Sequence, residues 1–159
     1  MKAIEYVHFT CIKLTKKAFG RYLPVSGNLG VFTHFQDEFE LLTKFREELT
    51  DKNINWNQKY FKLHEPITIT DQRGDIPETT YNYLYVRRPD EEKPQVGDVD
   101  FVLEKDEFEK YKKLAMEKTL INEVELFYRP DLDMIRLSHP DFDALPYITT
   151  KYIEENVKT

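Results

Sequence analysis

The segment 78–89, ETTYNYLYVRRP, constrains the fold most strongly, because it lies mid-chain and has the pattern of a single β-strand. Successive side chains of a strand point to opposite faces, so every second residue shares a face. One face is therefore predicted to carry Tyr81, Tyr83, Tyr85 and Arg87. Such a face either packs against a helix or presents tyrosine rings and an arginine to a ligand. We expect packing, with the hydroxyl groups at the rim.

A similar unit flanks this strand on each side. GVFTHFQDEFE at 30–40 and VDFVLEKDEFE at 99–109 each read as a short strand, a two-residue link and a helix that begins Asp-Glu-Phe-Glu. This pattern predicts a strand–helix–strand–strand module that occurs twice, as half-modules at 30–89 and 98–150 related by a pseudo-twofold axis. Chance convergence on residues that start helices well is the alternative.

A chain of 159 residues is long enough to form one domain, spanning 1–159, with its own core. Apolar residues recur with both the strand period and the helix period. They predict an α+β domain in which two main helices pack on a mainly antiparallel sheet of about six to eight strands. The first helix is expected from residue 36 or 37 to 49, and the second over 105–116.

The other segments are predicted as follows. Residues 3–13 alternate and are expected to form a central strand, followed by an irregular, partly apolar loop at 14–29. The break at Pro66 favours an edge position for a strand at 59–70. A polar loop is expected at 50–58, with Trp56 as its anchor. The buried stripe of the first helix is expected to consist of Phe39, Leu42, Phe45 and Leu49.

The segment 127–138, FYRPDLDMIRLS, is similar to the final-strand segment of the vicinal-oxygen-chelate (glyoxalase-like) family. Members of that family commonly read Pro-Asp-Gly-Asn there, before a metal-ligating glutamate. The resemblance implies two modules that pair into a curved sheet with helices outside. In this chain the glycine is missing and Arg136 stands where the glutamate is expected, so the metal ligand is not carried over.

The histidines show none of the close spacings that are typical of a metal site; they are His8, His34, His64 and His139. The chain also lacks a glycine loop of the phosphate-binding type. We therefore predict neither a metal nor a cofactor. His8-Phe9-Thr10 resembles half of the signature of the two-histidine phosphoesterases, in which each of two lobes gives one H-x-[ST] motif to a central cleft. The second copy is absent here.

Two pairs of aspartates have a spacing that would let both carboxylates of a pair bind one cation. Asp98 and Asp100 lie two apart on one face of a predicted strand, and Asp131 and Asp133 lie two apart in a predicted turn. Either pair has the oxygen atoms that a hard cation prefers. Solvation of a strand start and hydrogen bonding within a turn are the simpler interpretations.

The net charge of −6 argues against a nucleic-acid partner. No apolar run reaches the roughly 20 residues that span a bilayer, and Glu5 and His8 interrupt the N-terminal apolar run, which argues against a signal peptide. The single Cys11 fits a reducing compartment. We expect a soluble cytoplasmic protein without membrane contact. The sequence does not indicate an oligomeric state.

Two functions are compatible with these features. The first is a cofactor-free binding module for a protein or a small ligand, which the absence of a catalytic signature favours over an enzyme. The alternative is a small enzyme that acts on a phosphate- or carboxylate-bearing ligand in a cleft near His8 and Arg87. Its candidate catalytic residues are His8, Thr10 and Tyr83, and its candidate ligand-binding residues are Arg21, Tyr81, Tyr85 and Arg87.

Overall fold

The computed structural model describes residues 1–52 and 59–156, which form four helices and a seven-stranded sheet. The helices are α1 (Lys2–Phe19), α2 (Gln36–Leu49), α3 (Lys105–Met116) and α4 (Ile153–Asn156). The strands are β1 (Val25–Phe32), β2 (Phe61–Ile69), β3 (Thr79–Arg87), β4 (Gly97–Val102), β5 (Glu125–Arg129), β6 (Met134–Ser138) and β7 (Leu145–Thr149). The predicted α+β class is confirmed. Most of the predicted loop at 50–58, including Trp56, lies outside the described residues.

The sheet is mixed, with the strand order β2-β3-β1-β4-β7-β6-β5. Four neighbouring pairs are antiparallel, whereas β1 with β3 and β4 with β7 are parallel. The strand that contains Pro66 is an edge strand, as its proline predicts. None of the helices formed by residues 1–52 and 59–156 has the length and apolar content that crossing a bilayer requires.

The strand order has the symmetry that a repeated module would produce. The central strands β1 and β4 are antiparallel neighbours, and each has on its other side a parallel strand, β3 or β7, that is followed by an antiparallel one, β2 or β6. Helices α2 and α3 occupy equivalent places in the chain, and β5 is an additional edge strand. Duplication, with half-modules at 30–89 and 98–150, remains a prediction; β1 itself begins at Val25.

The prediction of a strand at 3–13 is wrong, because this segment belongs to α1. The buried residues of α1 include a set with helical spacing: Ile4, Val7, Cys11, Leu14 and Ala18. The alternation seen in the sequence is a coincidence, since burial follows the helical stripe. Gly20 ends the helix in the left-handed conformation (φ 74°), and its N–H donates to the carbonyl of Lys16. That glycine, preceded by Lys16 and Lys17, is the sequence signal for the helix end.

One buried apolar cluster joins α1 and α3 to the sheet. Val7 and Leu14 of α1 belong to it together with Leu29 and Val99 of the central strands, and α3 adds Phe108. The side chains of the central strands alternate, so Leu29 and Val99 face the helices while their neighbours face the opposite side of the sheet. That opposite side is available for a functional site.

The buried stripe predicted for α2 is also wrong. The helix itself is confirmed over Gln36–Leu49, but it buries none of its residues, and Phe45 is 53% exposed. The physical reason is its position: α2 packs on β2 and β3, at the outer part of the sheet. A helix at that place covers less apolar surface than α1, which lies over the centre.

Candidate functional site

The open face of the sheet carries a polar cleft of about 460 Å³, on the side away from α1. Strand β3 contributes Tyr85 and Arg87 to its lining, β4 contributes Asp98 and Asp100, and β6 contributes Arg136. Three strands separate β3 from β6 in the sheet, yet both strands line one cleft. The sheet is therefore strongly curved around this space.

The floor of the cleft holds two buried carboxyl groups. Asp98 is 4% exposed and Asp100 is 6% exposed, and both lie on the face of β4 opposite Val99. In the pairing of β4 with β1, Asp98 lies across from Gly30. The amide Nδ2 of Asn28, also on β1 and fully buried, donates a hydrogen bond of 3.1 Å to Asp100 Oδ2.

Burial makes ionisation of this pair costly. It raises the pKa of Asp98 above the usual range of an aspartate, although the positive charges of Lys59 and Arg87 oppose the effect. Burial, and after it the negative charge of Asp98, likewise raises the pKa of Asp100. Two neighbouring carboxyl groups with raised pKa values tend to retain a proton between them.

Two side-chain oxygen atoms at the floor of the cleft lack hydrogen-bond partners in the described structure. They are Oδ1 of Asp98 and Oδ1 of Asn28, both buried. Buried polar atoms of native proteins are usually satisfied, so these two acceptors need a donor. A proton on the carboxyl pair, or a hydroxyl or amine hydrogen of a ligand, has the required chemistry.

Gly30 makes room for the Asp98 carboxylate. A Cβ built at Gly30 would overlap Oδ1 of Asp98 and would come within 3.0 Å of Cδ1 of Tyr85. We expect Gly30→Ala to destabilise the protein by about 1–3 kcal/mol, as overpacking does. Chemical denaturation of Gly30→Ala, Asp98→Ala and the double variant measures this. The cost of Gly30→Ala should be smaller in the Asp98→Ala background, and an equal cost in both would show that the carboxylate is not the obstacle.

Five basic side chains line the cleft: Lys59, Arg87, Lys93, Arg129 and Arg136. The guanidinium of Arg87 lies 4.1 Å from the ring centroid of Phe32, and that of Arg136 lies 4.8 Å from the ring centroid of Phe127. The Nζ of Lys59 lies 4.7 Å from the ring centroid of Tyr85. The buried Nε atoms of both arginines have no hydrogen-bond partner among the described residues. Two buried donors beside the cleft are therefore unsatisfied.

Tyrosine rings form part of the cleft wall. Tyr60 and Tyr85 meet edge to face, with ring centroids 5.7 Å apart, and Tyr147 of β7 also lines the cleft. Burial raises the pKa of the Tyr60 and Tyr85 hydroxyls. Both hydroxyls are therefore neutral at physiological pH and can donate hydrogen bonds.

The structure brings only part of the predicted site together. Tyr85 and Arg87 line the cleft, whereas His8 and Thr10 lie on α1, on the other side of the sheet. Arg21 lies in the loop after α1 and pairs with Glu107 of α3 at 2.6 Å. His8, Thr10, Arg21, Tyr81 and Tyr83 do not line the cleft that contains Arg87. A functional role for these five residues stays a prediction.

His8 occupies a structural position. Its side chain is fully buried, and its Nδ1 is joined to the hydroxyl of Tyr81 by a hydrogen bond of 2.7 Å. Burial lowers the pKa of His8 to about 4, so its imidazole is neutral at pH 7. The expected cleft that would join His8 with Arg87 is therefore not formed.

The four residues predicted to share one face of the central strand are divided between two sides. Tyr81 contacts His8 of α1, while Tyr85 and Arg87 line the cleft. The register of β2 against β3 shifts between the pairs Lys62–Tyr83 and Ile67–Tyr81. Between these pairs β2 advances five residues while β3 advances two, so the ladder between the two strands is interrupted beside Tyr81. Sequence alternation alone does not reveal it.

Neither Asn28 nor Lys59 is a site candidate from the sequence pattern, and Arg136 is notable there only as the replacement of a metal ligand. The available signal was the placement of polar residues within strands that are otherwise apolar, such as Asn28 in VSGNLGVF and Asp98 and Asp100 in GDVDFV. Among residues 1–52 and 59–156, no three His, Cys, Asp or Glu side chains form a group that could hold a metal ion. The prediction that the protein uses no cofactor stays a prediction.

Comparison with known proteins gives information on the fold. No protein-family profile matches the chain, and no curated protein matches it significantly. A solved structure described as "Structural Genomics, Protein EC4020" is similar to it, with a TM-score of 0.61 and 16% sequence identity. The similarity covers 97% of this chain and 86% of that one. At this identity the likeness shows a shared fold.

Proposed function

We propose that the protein binds a small anionic ligand, bearing a phosphate or a carboxylate, in the cleft on the open face of the sheet. The observation that carries this proposal is the placement of Arg87 and Arg136 on the lining of one cleft, each with a buried Nε that lacks a partner. An arginine can donate two parallel hydrogen bonds to a phosphate or a carboxylate, which makes it a strong anion ligand.

The size and the wall of the cleft support a small ligand. Its volume of about 460 Å³ falls within the range typical of small-molecule sites. Tyr60, Tyr85 and Phe32 offer apolar surface beside the polar groups, and such a mixture is common where a ligand is oriented by a few polar contacts.

The charge distribution supports the same conclusion. The protein has a net charge of −6, yet Lys59, Arg87 and Arg136 are concentrated around the cleft. The lining carries five basic side chains against three acidic ones, Asp98, Asp100 and Glu125, and a concave surface with an excess of positive charge attracts an anion. The acidic remainder of the protein disfavours a polyanion such as nucleic acid, which would extend beyond the cleft.

The setting that best fits this function is the cytoplasm. Cys11 is buried as a free thiol, and burial raises its pKa well above the ordinary value, which keeps the thiol protonated and unreactive. A protein that carries a single inert thiol has no need of an oxidising compartment.

Titration calorimetry with inorganic phosphate and with pyruvate tests the proposal. We expect Arg136→Gln to weaken binding of the preferred anion about tenfold or more, since a charge-assisted hydrogen bond contributes roughly 1.5–3 kcal/mol. Arg88→Gln is the matched control: it removes the same charge from the exposed residue next to Arg87 and should leave affinity within about twofold after correction for salt screening.

Two results would contradict the proposal. One is the absence of binding by either anion to the parent protein at millimolar concentration. The other is an equal loss of affinity in Arg136→Gln and Arg88→Gln, which would indicate attraction to the general surface charge instead of to the cleft.

A further inference from the structure

We propose that Asp98 and Asp100 are a general base and a general acid that tautomerise a small anionic carbonyl compound bound in the cleft. The inference rests on the proposed function, because the anion-binding cleft is what places a substrate over the two carboxyl groups. The substrate class is a phosphate- or carboxylate-bearing aldehyde or ketone with a hydrogen on the carbon beside its carbonyl group.

The position of the two side chains is the first support. They lie two residues apart on the same face of β4, more than nine-tenths buried, at the floor of a cleft that is open above them. The buried amide of Asn28 is aimed at the pair, since its Nδ2 donates to Asp100 while its Oδ1 has no partner. Both aspartates line the cleft, and beneath its floor two buried oxygens have no hydrogen-bond partner among the described residues: Oδ1 of Asp98, which lies against Gly30, and Oδ1 of Asn28.

The surroundings of the two carboxyl groups differ, which assigns the roles. Lys59 and Arg87 stabilise negative charge on Asp98. The hydrogen bond from Asn28 and the charge of Lys59 also favour the charged form of Asp100, but the negative charge of Asp98 opposes it more strongly. The negative charge is therefore favoured on Asp98, the base, and the proton on Asp100, the acid. The other titratable and charged groups that line the cleft are Lys59, Tyr60, Tyr85, Arg87, Lys93, Glu125, Arg129, Arg136 and Tyr147.

The proton balance of the step is complete without a co-reactant. Asp98 removes the proton from the carbon beside the carbonyl group, and the electrons of that C–H bond form a carbon–carbon double bond. The π electrons of the carbonyl group take the proton of Asp100, which gives the enol. The pair ends with its single proton on Asp98 instead of Asp100, and the reverse step restores it. The neighbouring cations stabilise negative charge that develops on the oxygen.

Exchange of carbon-bound hydrogen for deuterium tests the inference. The 159-residue protein is incubated in D₂O with pyruvate or dihydroxyacetone phosphate, and loss of the C–H signal is followed by proton NMR. We expect exchange at least about tenfold faster than in buffer with one of the two probes. Asp98→Asn and Asp100→Asn should each slow the catalysed exchange about 100-fold or more, the usual effect of removing a general acid or base. The control Arg88→Gln should retain the parent rate.

Calorimetry on the same samples separates the two proposals. If a probe binds to the parent protein but its exchange is no faster than in buffer, the acid–base inference is overturned and the anion-binding function stands. If neither probe binds, the proposed anion-binding function is contradicted, and the acid–base inference that rests on it is contradicted as well.

A readout on the protein itself completes the test. The ¹³C NMR titration of labelled aspartate carboxyls should show that the pair retains one proton near neutral pH. Two ionised carboxylates at pH 6 would overturn the inference. So would a shift of both signals on addition of millimolar Mg²⁺, because the pair would then hold a cation in place of the proton.

Discussion

Asp100→Asn is expected to raise the thermal unfolding midpoint at pH 7, although it removes a side chain from the centre of the candidate site. Burial raises the pKa of Asp100 in the folded protein, whereas an unfolded aspartate titrates near about 3.9. The folded state is therefore favoured while the group is protonated, and this stability is lost as the pH rises from about 4 through the folded pKa. Each unit of pKa difference corresponds to about 1.4 kcal/mol.

Asparagine keeps the shape of the side chain and can still accept the hydrogen bond from Asn28, but it carries no charge. We therefore expect a gain in unfolding free energy on the order of a few kcal/mol at pH 7, which disappears near pH 4. Urea denaturation at a series of pH values measures it. Asp131→Asn is the control: Asp131 is exposed and paired with Arg129, which lowers its pKa, so its replacement should give no gain at neutral pH.

His8 has the opposite pH dependence and must be separated from this effect. Burial lowers its pKa to about 4, so its contribution is present above the unfolded value of about 6.5 and is lost as the pH falls below it. The difference between variant and parent at each pH cancels this contribution, since His8 is present in both. A stability difference that stays constant from pH 4 to pH 7 would contradict the raised pKa of Asp100.

Tyr83→Ala is expected to cost about 3–5 kcal/mol of unfolding free energy, the usual range for removal of a buried aromatic ring. Tyr83 is 6% exposed and pairs with Asn28 in the register of β3 against β1, so its ring is enclosed at the middle of the sheet. A domain of ordinary stability, about 5–15 kcal/mol, would be severely weakened. Thermal melts of the variant beside the parent measure the loss.

Arg87→Ala on the same strand is the comparison. Arg87 is partly exposed, and its guanidinium stacks on Phe32, which is worth about 1 kcal/mol or less at such a site. Its Nη2 also donates a long hydrogen bond of 3.5 Å to the carbonyl of Thr33. We expect this variant to fold with a nearly unchanged midpoint and to lose affinity for the anion. A stable Tyr83→Ala protein would mean that the ring belongs to a ligand surface and not to the packed interior.

Much of the fold could be predicted from the sequence, and the errors have physical causes. Helix α3 coincides with the predicted span 105–116, because its apolar residues follow one period. The apolar residues of the N-terminal segment fit both the strand period and the helix period. This segment forms α1 because it packs on β1 and β4, and such long-range packing cannot be seen in the local sequence pattern. Strand β1 was predicted too short, because Gly27 and Asn28 are typical of turns.

The candidate site was less predictable than the fold. The Asp98–Asp100 spacing was visible, but its significance depends on burial, on the approach of Asn28 and on the curvature that brings Arg136 to the same cleft. Residues from β3, β4 and β6 meet there only because the sheet curls, and no local pattern encodes that long-range geometry. His8 illustrates the reverse: a chemically capable residue that packing assigns to the interior.

The placement of α1 and α3 on one side of the sheet separates two kinds of sequence change. Leu29 and Val99 hold the helices to the sheet, while the alternate residues Asn28, Asp98 and Asp100 face the cleft. A substitution on the cleft side alters ligand chemistry without opening a cavity in the apolar interior. The same framework can therefore acquire a different specificity through changes at a few alternate strand positions, while the residues between them continue to keep the protein folded.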